Sequence, residues 1–207
     1  MMYQSLHDFE ISEKIGKGVY GEVYRCYDKD KNIVALKKIK DDKKFKKCAI
    51  KEIKILKNLN ENNLEKKPVI NLLGNFEENN IVYLVFDYLT VNLYNYLINS
   101  RNDPYDYKLE IMYKIIDGLD FIHSLDIIHA DLKPENIMYD IVSKNLKIID
   151  FGSSFYEDKK KLNVYIQSRY YRAPEILYRL EYNKSIDIWS YICIFYEILF
   201  VKPLFPG

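Results

Sequence analysis

HADLKPENIMYDIVSKNLKIIDFG, residues 129–152, decides how the rest of the chain is read. Two short apolar runs, 137–139 and 146–149, flank a polar segment, 140–145, that carries the Asp, Ser and Asn of a connecting turn; the stretch predicts a β-hairpin. In an antiparallel pair, the residue entering the first strand and the residue leaving the second lie at the same end. Asn136 and Asp150 are then neighbours in space. An amide oxygen beside a carboxylate suits a hard cation such as Mg²⁺, which takes oxygen ligands and keeps positions for substrate phosphates. Asp131 and Lys133 lie just upstream, where a base and a fixed positive charge can face the same metal.

Length and composition set the frame. With 207 residues and 48% hydrophobic content, the chain can build one large domain or two small lobes with a real core. Lys and Arg number 31 against 30 acidic residues, so no global charge argues for a nucleic-acid or membrane partner. Cys26, Cys48 and Cys193 are odd in number and lack metal-type spacing, which fits a reducing intracellular compartment, cytoplasmic or nuclear. The opening MMYQSLHDFE has neither a basic nor an apolar leader region, so no secretory signal is expected. Residues 186–205 are strongly apolar, but Asp187, Glu197 and Lys202 interrupt them. A spanning helix needs roughly 20 mostly apolar residues, so this segment reads as a buried core helix.

Residues 9–40 alternate as three strands separated by a glycine-containing turn and a KDKN turn. Residues 41–58 follow with Ile50, Ile53, Leu56 and Leu59 at helical intervals and lysines on the other face, with KKFKK (43–47) as a solvated helix start. A polar loop is expected at 60–67, then strands at 69–73 and 81–86 around an EENN turn. After residue 88 the pattern becomes helical: a short helix at 93–98, then a longer one whose apolar face is Leu109, Met112, Ile115, Ile116, Leu119 and Ile122. The reading is an α+β fold with a β-rich lobe at 1–88 and a helical lobe at 89–207 that contains the hairpin. A polar segment is expected at 153–163.

GKGVYGEV, residues 16–23, contains G-x-G-x-x-G. Dinucleotide-binding folds share this motif, but there it must open a helix. Here Val23, Tyr24, Cys26 and Tyr27 give a strand, so the glycines belong to a hairpin whose backbone can approach phosphates closely. No G-K-[ST] follows, which removes the P-loop reading. VALK, residues 34–37, places a lysine inside the third strand. A mostly buried ammonium needs a partner, and Glu52 on the striped helix is the candidate.

Glycine loop, VALK, helix Glu, HADLKPEN, DFG and APE, in that order, resemble a protein kinase from residue 9 to the end of the chain. The resemblance implies a bilobal protein kinase-like fold that uses ATP and Mg²⁺ on protein substrates. It implies that Lys37, held by Glu52, contacts the α- and β-phosphates, that Asp131 is the catalytic base and that Lys133 steadies the γ-phosphate. By the same resemblance Asn136 and Asp150 hold the metal, and Ile15, Gly16, Gly18 and Gly21 cover the nucleotide. Val23, Ala35 and Met138 then sandwich the adenine, Phe86 stands behind it, and the backbone of Asp87 and Leu89 binds its edge. His129 reads as a packed histidine beside Phe151, and Asp187 resembles the buried aspartate that anchors the catalytic loop.

Two departures narrow the resemblance. Ala130 stands where most kinases have arginine, so the usual partner of a phosphorylated activation loop is missing. DFGSS followed by YIQSRYYRAPE, residues 165–175, is similar to the dual-specificity tyrosine-regulated kinases (DYRK) and the homeodomain-interacting kinases (HIPK) of the CMGC group. That implies autophosphorylation on Tyr165, with Arg169 and Arg172 as charge-assisted partners, and substrates modified on Ser or Thr. Proline after the target residue is a further expectation, through Arg172. The chain stops at KPLFPG, residues 202–207, where the family continues with further helices, including the arginine that pairs with the residue matching Glu175. A truncated helical lobe is expected. Two rivals stand beside this reading. One is a catalytically silent nucleotide- or partner-binding fold, against which stands the complete set of reactive residues. The other is a nicotinamide-dependent oxidoreductase, which rests on the glycines alone.

Overall fold

Alternating side chains explain the first sheet. The computed structural model describes residues 3–99, 103–141, 143–157 and 165–206. The chain divides into two units: Met1–Asn62 with Ile70–Leu89, and Asn63–Val69 with Thr90–Gly207. The first holds β1 (Phe9–Lys17), β2 (Gly21–Asp28), β3 (Ile33–Ile39), α1 (Lys43–Asn62), β4 (Leu72–Glu78) and β5 (Ile81–Asp87). These strands form one antiparallel sheet in the order β1-β2-β3-β5-β4. Cys26, Val34, Leu36, Phe76, Tyr83 and Val85 point to one face and close a core with Tyr3, Leu6, Phe9 and Tyr24. The period of two sends Val23, Ala35, Lys37 and Phe86, cross-strand neighbours in the register, to the opposite face. Helix α1 packs on β3, β4 and β5 through Ala49, Glu52, Ile55, Leu56 and Leu59.

Four boundaries differ from the sequence reading. Helix α1 runs to Asn62, because Leu59 is buried and extends the apolar stripe through polar neighbours. Ile50, expected on that stripe, is exposed. The strand expected at 69–73 is β4, shifted to Leu72–Glu78; Val69 makes only an isolated parallel bridge to Ile148 in the second unit. The β4–β5 turn is Asn79 and Asn80, both at positive φ, a two-residue hairpin connection that asparagine tolerates well. The segment Asn63–Val69, read from sequence as part of the first lobe, groups with the second unit, and Leu89 groups with the first.

The second unit contains β6 (Val91–Asn92), α2 (Leu93–Asn99), α3 (Tyr105–Ser124), β7 (Ile127–Ile128), β8 (Ile137–Tyr139), β9 (Leu146–Ile148), β10 (Phe155–Tyr156), α4 (Pro174–Leu177) and α5 (Ser185–Phe200). Helix α3 buries Ile111, Met112, Ile115, Leu119 and Ile122 and packs on α5 and β9; Leu109, expected on that face, is exposed. Strands β6, β8 and β9 form one small sheet, β7 and β10 another. Ile128, Ala130, Ala173, Ile176 and Ile186 form a core under the segment that leads into α4 and α5. The polar segment expected at 153–163 lies largely outside the described residues. Among the described residues, no helix is long and apolar enough to cross a membrane.

Candidate active site

In the first unit, β1 and β2 pair Gly16 with Val23 and Lys17 with Glu22, and the turn closes with the Gly18 N–H donating to the Gly21 carbonyl at 2.9 Å. The glycines have different reasons to be there. A Cβ on Gly21 would stand 2.0 Å from the Lys38 carbonyl oxygen, so the β2–β3 packing demands glycine. A Cβ on Gly18 would meet nothing within 4 Å, so no protein atom explains that residue. Ile15 is exposed, Leu89 is buried and Asp87 is half-buried. On the face shared with Val23 and Ala35, Lys37 Nζ donates to Glu52 Oε1 at 2.7 Å and Oε2 at 3.1 Å. The two side chains are 13% and 4% exposed, so the ammonium is held in one position by both carboxylate oxygens.

In the second unit, β7 delivers the chain into the loop of His129, Ala130 and Asp131. The fully buried Asp187 carboxylate on α5 accepts the backbone N–H groups of His129 (2.7 Å) and Ala130 (2.9 Å). His129 packs its ring on Phe151 with centroids 5.1 Å apart, and its Nε2 donates to the Ile149 carbonyl at 2.9 Å. That bond fixes the tautomer, and Nδ1 accepts the Asp131 N–H at 3.3 Å. The histidine therefore serves as a bracket between the loop and the strand that leads to Asp150.

Asp131 sits at the centre of a polar cluster. Lys133 Nζ donates to its Oδ2 at 2.9 Å, Ser168 Oγ donates to its Oδ1 at 2.7 Å, and Lys133 Nζ also reaches Ser168 Oγ at 3.1 Å. Asn136 Nδ2 donates to the Asp131 carbonyl at 2.8 Å and to Oδ2 at 3.2 Å. Register across the hairpin pairs Ile137 with Ile148, and the Ile149 N–H donates to the Asn136 carbonyl at 2.9 Å. Asn136 and Asp150 therefore leave the same end of the hairpin. With its amide nitrogen committed to Asp131, Asn136 offers its oxygen to a cation, and Asp150 offers a carboxylate. No group of three or more His, Cys, Asp or Glu able to hold a metal occurs among the described residues. Oxygen donors of this kind could hold a hard cation such as Mg²⁺, whereas a structural zinc would call for sulfur or imidazole nitrogen. Met138, between them on β8, is partly buried.

Ser168 lies inside YIQSRYYRAPE with no residue type or spacing that singles it out in the sequence. The same holds for Gln167. It takes φ 66 and ties down the loop: Nε2 donates to the Ile186 carbonyl (2.8 Å) and Ser190 Oγ (2.9 Å), and Oε1 accepts the Ala173 N–H (2.9 Å). Arg172 donates from Nε to the Ile166 carbonyl at 2.9 Å and from Nη2 to the Gln167 carbonyl at 2.6 Å. Its guanidinium lies 3.8 Å from the centroid of the Tyr165 ring, and Nη1 hydrogen-bonds the Tyr165 hydroxyl. Tyr165 is 72% exposed. Arg169 is also exposed, and among the described residues no contact joins it to Tyr165. Glu175 accepts a hydrogen bond from Ser185 Oγ at 3.2 Å.

Comparison with known proteins places the chain among its relatives. A family model described as protein kinase domain matches residues 9–207. The chain is 41% identical over 204 residues to dual specificity tyrosine-phosphorylation-regulated kinase 3 of Rattus norvegicus, covering 96% of this chain and 35% of that protein. It is 42% identical over 204 residues to probable serine/threonine-protein kinase dyrk2 of Dictyostelium discoideum, covering 96% and 22%. With homeodomain-interacting protein kinase 1 of Caenorhabditis elegans the identity is 37% over 207 residues, covering 97% and 24%. The chain thus spans about a third or less of the length of these relatives.

Proposed function

This chain belongs to the protein kinase domain family, with relatives in its DYRK and HIPK branches, and we propose that it transfers the γ-phosphate of ATP to Ser or Thr of protein substrates in a Mg²⁺-dependent reaction. The observation that carries the reading is the cluster around Asp131: a carboxylate bonded on one oxygen to an ammonium, Lys133, and on the other to a hydroxyl, Ser168. A substrate hydroxyl taking the Ser168 position would donate its proton to the same Oδ1. Lys133 stands where it can meet negative charge arriving at that hydroxyl. Asn136 and Asp150 are the residues that would hold Mg²⁺, which supplies charge neutralisation at phosphate oxygens. Lys37, fixed by Glu52, is preorganised to bind phosphate oxygens without reorganising, and Gly18 leaves room for them.

Two finer assignments belong to the same reading. The Gln167 carbonyl is already bonded to Arg172 Nη2, so it is not offered to the backbone N–H of the residue after the target. Proline, which has no N–H, loses nothing there, and this supports proline-directed specificity. The exposed Tyr165 hydroxyl beside the Arg172 guanidinium supports autophosphorylation at Tyr165, since a phosphate on that oxygen gains a charge-assisted partner.

Incubating the purified chain with ATP, Mg²⁺ and matched Ser-Pro and Ser-Ala peptides tests these statements. Phosphorylation of the Ser-Pro peptide at least about tenfold faster is expected, with phosphotyrosine at residue 165 by mass spectrometry. Equal rates on the two peptides would refute the proline preference, and an unmodified Tyr165 in active protein would refute the maturation step.

A further inference from the structure

A cavity of about 300 Å³ lies within the second unit, lined by Tyr96, Asp103, Pro104, Tyr107, Tyr139 and Ile141. None of the groups assigned to phosphoryl transfer lines it. Alternation along β8 turns Tyr139, which is 3% exposed, to the side opposite Met138. Tyr96 and Tyr139 meet edge to face, with centroids 4.8 Å apart and planes at 62°. The Tyr96 hydroxyl donates to Asp103 Oδ2 and so fixes a carboxylate in the wall.

The wall combines aromatic faces with charge. Burial raises the Tyr139 phenol above its ordinary range; Glu110 and Tyr107 raise it further, Lys144 opposes them, and Asp103 adds the smallest contribution. Glu110 is paired with Lys114, but Asp103 faces the cavity directly. The chain itself places a cation on one of the rings: Lys144 Nζ lies 4.2 Å from the centroid of Tyr107. Tyrosine faces grouped around a carboxylate hold cations by combining ring quadrupoles with charge.

We propose that this cavity binds an arginine side chain presented by a segment of a partner protein. A guanidinium is planar and weakly hydrated, so it can stack on a tyrosine face while its fork meets Asp103; a lysine ammonium is a compact, strongly hydrated charge that matches neither feature as well. The site would give the second unit a contact with basic segments separate from the Asp131 cluster. It does not depend on the phosphoryl-transfer reading, because binding is measured without ATP.

The test is a titration of the purified chain, carrying ¹³C-labelled tyrosine rings, with the peptide acetyl-Gly-Arg-Gly-amide. Saturable shifts of the Tyr96, Tyr107 and Tyr139 ring signals are expected, with Kd on the order of 1 mM for so small a ligand. D103N keeps an acceptor for the Tyr96 hydroxyl and removes only the charge; it is expected to weaken binding at least about fivefold, as is Y107L. Peptides with norleucine or lysine in place of arginine are expected to bind at least about fivefold more weakly. Equal binding of the norleucine peptide, or undiminished binding by D103N, would show an apolar pocket and overturn the proposal. Equal binding of the lysine peptide would overturn the assignment to a guanidinium, and absence of any saturable ring shift would overturn the site.

Discussion

Asp187 holds the backbone of Ala130. Its Oδ1 accepts the Ala130 N–H at 2.9 Å, while Oδ2 accepts the His129 N–H and lies 3.0 Å from His123 Nε2. Ala130 is fully buried at φ 65, in the left-handed region that costs an alanine roughly 1 kcal/mol. One carboxylate thus maintains a conformation the residue would not choose. D187A leaves two buried N–H groups unpaired and is expected to destabilise the chain by about 3 kcal/mol in urea unfolding. A130G relieves the strain but removes a methyl group from the core, so the two effects offset and stability is expected to stay within about 1 kcal/mol of the parent; a loss of about 2 kcal/mol or more would contradict the strain argument.

Gly21 and Gly18 of GKGVYG separate packing from binding. G21A forces a methyl group against the Lys38 carbonyl and is expected to destabilise by about 2 kcal/mol or more. G18A has open space, so thermal stability is expected to stay within about 0.5 kcal/mol of the parent. Its effect should appear as a several-fold higher KM for ATP. A normal KM in G18A would mean that the turn does not approach the phosphates.

Glu197 provides a pH signature. It is buried and accepts the Tyr171 hydroxyl at 2.7 Å; burial holds its pKa above the ordinary value, partly offset by that hydrogen bond, and Glu135 adds to the rise. A carboxyl with a raised folded-state pKa binds more protons in the folded state than in the unfolded one. Its contribution therefore favours folding at low pH and is lost as pH rises from the ordinary glutamate range through the raised value. E197Q keeps an acceptor for Tyr171 and cannot titrate. The stability difference between E197Q and the parent should shift in favour of E197Q over that interval and stay flat above it. A difference independent of pH would contradict the assignment.

Arg172 ties together the Tyr165 ring, the Ile166 carbonyl and the Gln167 carbonyl. R172K cannot bridge all three, because an ammonium lacks the planar fork. The ratio of kcat/KM for Ser-Pro over Ser-Ala peptides is expected to fall about tenfold, as the freed Gln167 carbonyl begins to accept an ordinary backbone N–H. An unchanged ratio would place the proline preference elsewhere.

Strong periodicity and turn chemistry were legible in the sequence; placement that depends on tertiary packing was not. The hairpin around residues 137–148 could be read because two short apolar runs bracket a polar turn, and its register brings Asn136 and Asp150 to one end. Strand β4 was misplaced because its sequence, LLGNFEE, is less apolar than the preceding Val69 and Ile70, which are buried outside any strand. The Asn79-Asn80 pair carried the signal that would have corrected it, since adjacent asparagines suit a two-residue hairpin. Lys37 and Glu52 of the first unit, and Asp131, Lys133, Asn136 and Asp150 of the second, stood out by residue type and order. Ser168 and Gln167 did not, because a serine and a glutamine acquire their roles only when the loop folds onto Asp131 and α5. The buried cysteines were uninformative about chemistry, and the structure explains why: burial pushes the Cys26 and Cys193 thiols up to about 11, out of the reactive range.

Transfer of labelled phosphate from ATP by the parent chain, by D131N and by K37R tests the central claim most directly. D131N preserves size and can still meet Ser168 and Lys133, so it should retain Mg²⁺-dependent ATP binding while the rate falls roughly 10²- to 10⁴-fold. K37R should lose activity through misplaced phosphate contacts. Equal labelling by all three proteins would contradict the assignment of Asp131 as the base and of this chain as a phosphoryl transferase.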